Sequence, residues 1–220
     1  MSKVAKYGKF VHLEKLLQGT FRAAIATTYK DTNLTAAQQD DELKKTSLMS
    51  PTTMIGIPMP TGMHYTQPLG RVKRSTEIRQ SYYMTSLSFC VDDTEPKFAA
   101  FGDARLLIPD PAAFGKRVCD AAQAIRPKWI AFFAPAHYFN PENGHPDYLP
   151  SDPLYMRDTL PWRLKDDSYA WQKEWRFIWI PDTEPVGEPK AIEFPIGSLS
   201  DIAVLERLNP HPSENDLTYD

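Results

Sequence analysis

The run Tyr169-Ala170-Trp171-Gln172-Lys173-Glu174-Trp175-Arg176-Phe177-Ile178-Trp179-Ile180 constrains this chain more than any other segment. Aromatic and β-branched residues dominate it, which marks a strand of the core. Strict alternation puts Trp175, Phe177 and Trp179 on one face and Glu174, Arg176 and Ile178 on the other. Glu174 and Arg176 therefore share a face. A carboxylate on a buried strand is costly unless it has a partner or a task, so this strand is either an ion pair at a strand end or part of a site.

With 220 residues the chain can build one complete core and is short for two, which predicts a single domain over 1–208 followed by a polar, disordered tail at 209–220. Twenty prolines imply long irregular connections. A net charge of -3 gives no global attraction to nucleic acid or to an anionic membrane. The one basic cluster is Arg71, Lys73, Arg74 and Arg79, which reads as a solvated face or as a local binding stripe. Cys90 and Cys119 have neither disulfide-framework nor metal spacing, and His12, His64, His137, His145 and His211 form no ligand motif, so no metal is expected. Met1-Ser2-Lys3 runs into a polar start without an apolar leader, and no segment approaches the roughly 18 apolar residues of a membrane span. The expectation is a cytoplasmic protein without membrane contact, an effector exported without such a leader being the exception.

Along the chain, the spacing predicts a short strand at Tyr7–Val11, a two-turn helix from His12 to Gln18 ended by Gly19, and a strand at Thr20–Ile25. From Thr27 to Gln80 the pattern weakens, with a helix expected over Ala36–Lys45, and so long a stretch reads as a loop or lid. Tyr82–Val91 is a strand with Tyr82, Met84, Ser86, Ser88 and Cys90 on one face, and Ala104–Ile108 is another. Asp110-Pro111 opens a helix that reaches Ile125. Trp129–Phe133 is a strand, Pro135–Pro153 is irregular, and Leu154–Lys165 is helical. Ile192–Pro195 and Ile202–Leu205 close the fold. Short, unevenly spaced strands with few helices argue for an α+β fold with a mixed, mainly antiparallel β core. No G-x-G-x-x-G, P-loop or G-x-S-x-G motif is present.

What remains is a Ser-bearing strand, a Glu-bearing strand and an N-terminal strand carrying Arg22. Enzymes that break the nicotinamide–ribose bond need such parts: a carboxylate facing an oxocarbenium-like ribose, hydroxyls bracing the sugar and a guanidinium on phosphate.

The order of motifs resembles the DUF2971 family. The likeness spans Tyr7 with the helix at Leu13–Leu17, then Phe21-Arg22, Leu87-Ser88-Phe89, and the turn at Phe98–Asp103 before Leu106-Leu107-Ile108. It ends in Trp171-Gln172-Lys173-Glu174-Trp175-Arg176, while Lys30-Asp31-Thr32 departs from the usual asparagine-aspartate-proline. Gln172-Lys173-Glu174 is also similar to the Q-x-E form of the E-x-E motif of ADP-ribosyltransferase toxins, and Thr85-Ser86-Leu87-Ser88 to their serine-threonine-serine strand, with Leu87 in place of the middle threonine. That resemblance implies an ADP-ribosyltransferase-like fold, NAD as substrate and a macromolecular acceptor, protein or nucleic acid. It makes Glu174 the catalytic carboxylate, with Gln172 addressing the acceptor. Arg22, Ser86, Ser88 and Arg176, with Tyr29 and Asp31 at the start of the long loop, would hold NAD. Such a protein would act as a bacterial toxin, effector or phage-defence enzyme. The other readings are a non-catalytic nucleic-acid- or protein-binding module using the Arg71–Arg79 segment, and an immunity or adaptor protein.

Overall fold

The computed structural model describes residues 3–30, 33–34, 40–49, 54–58, 64–68, 72–89, 96–143, 159–182 and 190–208. Strand β1 (Val4–Gly8) leads into helix α1 (Phe10–Leu17) and strand β2 (Thr20–Ile25). The strand expected over Tyr7–Val11 is thus shifted toward the N-terminus, and its second half belongs to α1. The cause lies far along the chain. Phe10 donates its backbone N–H to Asp103 Oδ1 at 2.8 Å, a helix cap that no neighbouring residue announces. The helix does end at Gly19, whose φ of +100° suits glycine and whose missing Cβ leaves room for the Gly197 carbonyl.

Beyond β2 the weakly patterned segment contains two antiparallel strand pairs: β3 (Lys44–Met49) with β6 (Val72–Glu77), and between them β4 (Met54–Pro58) with β5 (His64–Pro68). The helix expected over Ala36–Lys45 is overturned where the chain is described, since Lys44 and Lys45 belong to β3. Asp41 is the reason: its Oδ1 accepts from the backbone N–H of Leu43 at 3.1 Å and of Lys44 at 3.0 Å, a local turn that competes with helix. Residues 35–39 lie outside the described ones, as do Cys90 and Arg71.

Strands β7 (Tyr83–Phe89) and β8 (Ala104–Ile108) and helix α2 (Pro111–Ile125) follow as the spacing predicts. Asp110 Oδ1 accepts from Ala113 N–H at 3.0 Å and Pro111 fills the first turn. Next come β9 (Ile130–Pro135) and β10 (His137–Phe139), the latter inside a stretch expected to be irregular. Helix α3 (Leu160–Arg163) is all that is described of the helix expected over Leu154–Lys165, because Leu164–Asp166 form β11, paired parallel with β10. Residues 154–158 lie outside the described ones. Asp166 accepts from Ser168 N–H at 2.9 Å and starts a 3-10 helix, Asp167–Gln172, so the tryptophan-rich strand β12 begins only at Glu174 and runs to Ile180. Strands β13 (Ala191–Pro195) and β14 (Val204–Arg207) complete the chain.

Eight strands make the main sheet, and it is antiparallel. β12 lies along one edge of β7 from Glu174 opposite Ser88 to Trp179 opposite Tyr83, with β9 beyond it. The other edge of β7 is shared. β1 pairs with its C-terminal end (Val4 with Phe89, Ala5 with Ser88), and β2 pairs with its N-terminal end (Ala24 with Met84, Ile25 with Tyr83). The sheet therefore forks, with β1–β8–β14 as one wing and β2–β13 as the other.

The alternation of β12 decides what each face holds. Trp175, Phe177 and Trp179 join Phe21, Tyr83, Leu106 and Ile108 under α1 and α2 in the larger core. Phe177 meets Phe114 of α2 edge-on at 5.6 Å and Phe21 at 5.9 Å. Each such ring contributes about 1.5–3 kcal/mol through burial. On the other face Met84, Ile178 and Ile180 form a smaller cluster with Tyr82 and Ala26. Glu174, Arg176, Ser86 and Ser88 share this second face.

Candidate functional site

Lys173 is the only non-glycine residue described with positive φ (44°). This left-handed residue turns the 3-10 helix into β12 and lets Gln172 and Glu174, two positions apart, line the same cavity. Tyr138 Oη accepts the Glu174 backbone N–H at 2.7 Å and so fixes the start of the strand.

Both carboxylate oxygens of Glu174 are engaged. Lys165 Nζ donates to Oε1 at 2.6 Å; Arg176 Nε at 2.8 Å and the Ser86 hydroxyl at 3.3 Å donate to Oε2. Arg176 is fully buried and makes a bidentate pair with Glu42, both contacts at 3.0 Å, and a third bond to the Trp162 carbonyl at 3.0 Å. Lys45 bonds Asp40 at 2.8 Å and lies 3.5 Å from Glu42. Asp40, Glu42 and Glu174 thus face Lys45, Lys165 and Arg176.

Burial alone would raise the Glu174 carboxyl, but Lys165 and Arg176 outweigh it and hold it near 2. The same contest lowers Glu42, where Arg176 leads the opposing cations. Asp40 goes the other way, pushed up by burial and then by Glu42. Glu174 is consequently ionised at every physiological pH. It can stabilise positive charge or hold a hydroxyl, but it does not act as a general base near neutrality.

Lys6 occupies the fork. Where β1 leaves β7, its ammonium donates to the free Ser86 carbonyl at 2.7 Å and to Thr85 Oγ1 at 3.0 Å. Burial lowers Lys6 to about 8, although Glu174 pulls it back up. Beside it is a cavity of about 180 Å3 whose lining includes Lys6, Tyr29, Ser86, Ser88, Gln172 and Glu174, with Lys165 and Glu42 at its charged side. Phe98 and Phe101 add apolar wall. The volume suits a ring or a sugar, with the rest of a larger ligand extending outward. The Tyr29 and Tyr138 hydroxyls are both driven above their ordinary range, first by burial and then by nearby carboxylates. Among the described residues no set of three His, Cys, Asp or Glu is placed to hold a metal ion.

Of the residues singled out from sequence, Glu174, Gln172, Ser86, Ser88 and Tyr29 converge on this cavity. Arg176 stands behind Glu174 rather than in the cavity, its guanidinium already committed to carboxylates. Arg22 does not line the cavity; it is largely exposed and 3.5 Å from Glu193 across the β2–β13 pair. Asp31 lies outside the described residues, as do the side chains of Lys73 and Arg74; Arg79 is exposed. The cations that do line the cavity, Lys6 and Lys165, escaped sequence reasoning, and so did Glu42. Glu42 sits in Asp40-Asp41-Glu42-Leu43-Lys44-Lys45, a mixed charge run that resembles any solvated turn. Comparison with protein-family models, with curated proteins and with solved structures returns no significant match. No helix among the described residues is long and apolar enough to cross a membrane.

Proposed function

We propose that this protein is an ADP-ribosyltransferase-type enzyme that consumes NAD and transfers its ADP-ribose to a macromolecular acceptor, as a toxin, effector or phage-defence protein would. One observation carries the reading: an ionised, buried Glu174 carboxylate lies within 3.3 Å of the Ser86 hydroxyl at the wall of a ring-sized cavity. In the reaction the bond from the ribose C1′ to the nicotinamide nitrogen breaks and its electron pair leaves with nicotinamide. The ribose becomes oxocarbenium-like, and an acceptor nucleophile closes on C1′ and gives up its proton to water. Glu174 faces that developing positive charge, as a fixed anion already desolvated before the reaction. Ser86 and Ser88 brace the sugar, and Tyr29 or the Phe98–Phe101 wall receives the nicotinamide ring. The phosphate-binding role assigned to Arg22 passes to Lys6, a cation of the cavity lining that is bonded to a carbonyl and a hydroxyl rather than to a carboxylate. Gln172 keeps the acceptor-directed role that the Q-x-E resemblance implies.

The test is nicotinamide release from labelled NAD, with and without cell lysate as acceptor source. Glu174→Gln should lower turnover at least about 100-fold, and Ser86→Ala, which leaves every charge in place, should lower it about tenfold. Turnover unchanged in a folded Glu174→Gln protein would refute the assignment. The mutual pairing of Glu174 and Glu42 with Lys165 and Arg176 favours a second reading, in which the cluster is structural and the cavity only binds. That version predicts a thermal shift with NAD and no nicotinamide released.

A further inference from the structure

The charges around the cavity beside Glu174 are not equally available to a ligand. Lys165 Nζ already sits among carboxylates, 2.6 Å from Glu174 and 4.0 Å from each of Asp40 and Glu42, so an anion brought to it meets like charges on every side. Arg176 is committed to Glu42, Glu174 and the Trp162 carbonyl. Lys6 is different. An ammonium has three protons to donate, and among the described residues two are taken, by the neutral Ser86 carbonyl and the Thr85 hydroxyl. Burial holds Lys6 near 8, so it is still mostly charged at pH 7. Glu174 supplies the complementary feature. A carboxylate has about four acceptor sites, and Lys165, Arg176 and Ser86 occupy all but one, which is left for a hydroxyl. The cavity, about 180 Å3, is a little larger than the roughly 150 Å3 that accepts benzene, so it houses one small substituted ring and not a dinucleotide.

We propose that the cavity recognises a ribose 5-phosphate unit, with the phosphate on Lys6 and a ring hydroxyl on Glu174, so that the mononucleotide half of NAD is the part this protein reads. The inference deepens the NAD reading and rests on it for the choice of ribose. One uncommitted cation matches one phosphate, and the second phosphate and the adenosine of NAD add little to recognition. Nicotinamide mononucleotide is then a substrate as well. Its C1′–N bond breaks with the electron pair leaving on nicotinamide, and the acceptor nucleophile bonds to C1′ and gives up its proton to water.

The experiment uses the full chain in two arms. In the first, ribose 5-phosphate and ribose are titrated by ligand-observed NMR and calorimetry. Ribose 5-phosphate is expected to bind one to one with Kd below about 1 mM, and ribose at least about tenfold more weakly. Lys6→Met should erase that difference, whereas Arg22→Ala, in the exposed pair with Glu193, should leave it in place. In the second arm, nicotinamide release from NAD, nicotinamide mononucleotide and nicotinamide riboside is compared in the presence of lysate. The mononucleotide should match NAD in kcat/KM within about tenfold, and the riboside should fall at least about tenfold below both. Equal binding of ribose and ribose 5-phosphate by the native protein overturns the proposal, and that comparison needs no variant to fold. Turnover of NAD without turnover of the mononucleotide also overturns it and leaves the transferase reading standing. Preferential binding of ribose 5-phosphate with no nicotinamide released from any of the three compounds does the reverse: it supports the sugar-phosphate site and refutes the transferase.

Discussion

Glu42→Gln is the substitution that most directly probes the architecture of the site. Glu42 is 1 % exposed and meets the Arg176 guanidinium, itself 0 % exposed, through two contacts at 3.0 Å. Removing one partner of a buried ion pair typically costs about 3–5 kcal/mol, because the other charge is left desolvated and unmatched. Arg176 keeps Glu174 at 2.8 Å and the Trp162 carbonyl at 3.0 Å, and the glutamine still offers an oxygen, so the cost belongs at the lower end, about 3 kcal/mol. At about 2–4 °C per kcal/mol for a domain of this size, the melting temperature should fall by roughly 6–12 °C. Urea unfolding gives the free energy directly, and a cycle with Arg176→Met isolates the pair. Its coupling should be at least about 1.5 kcal/mol. The exposed pair Arg22–Glu193 is the internal control: Arg22→Ala should cost about 0.5 kcal/mol or less. If Glu42→Gln proves as mild as Arg22→Ala, the buried charge cluster described here is wrong.

Acid should weaken the fold through Glu174. Its folded value, about 2, lies below the ordinary 4.5, so its contribution is complete above pH 4.5 and vanishes as pH falls through 2. Chemical denaturation across that window should lose about 3 kcal/mol in the native protein and much less in Glu174→Gln. Lys6 has the opposite dependence: with a folded value near 8 against 10.5, the charged form is disfavoured in the native state, and stability should rise with pH between those values. Lys6→Met should remove that rise, and a slope that persists would exclude Lys6 as its source. At Lys173, glycine relieves the left-handed conformation and should change stability by no more than about 1 kcal/mol, whereas valine should destabilise by about 1–2 kcal/mol, both read from urea midpoints.

Features that announced themselves in the sequence were those with a local cause. Asp110-Pro111 marks the start of α2 because cap and first turn are adjacent, and the alternation through Trp175, Phe177 and Trp179 separates the two faces of β12 because side chains alternate along any strand. The shared face of Glu174 and Arg176 follows from the same rule, as does that of Ser86 and Ser88. What stayed hidden depends on distant partners. Asp103 caps α1 from beyond β7, Asp41 turns a helix-like run into the entrance of β3, and Glu42 and Lys165 acquire meaning only when the fold delivers them to Glu174 and Arg176. Arg22 has the right residue type at a plausible position, but its place in the β2–β13 wing leaves it largely exposed, while Lys6 of β1 reaches the fork.

The fork has a mechanical consequence. Each wing is fastened to β7 by two registered residue pairs, whereas β12 is fastened by six. Separating a wing therefore sacrifices few backbone hydrogen bonds, and the Lys6 ammonium already holds the carbonyl exposed at the split. The cavity sits where the sheet can part most cheaply while its trunk stays intact. The strand pairing is thus thinnest beside Glu174, where a ligand larger than a single ring would need room.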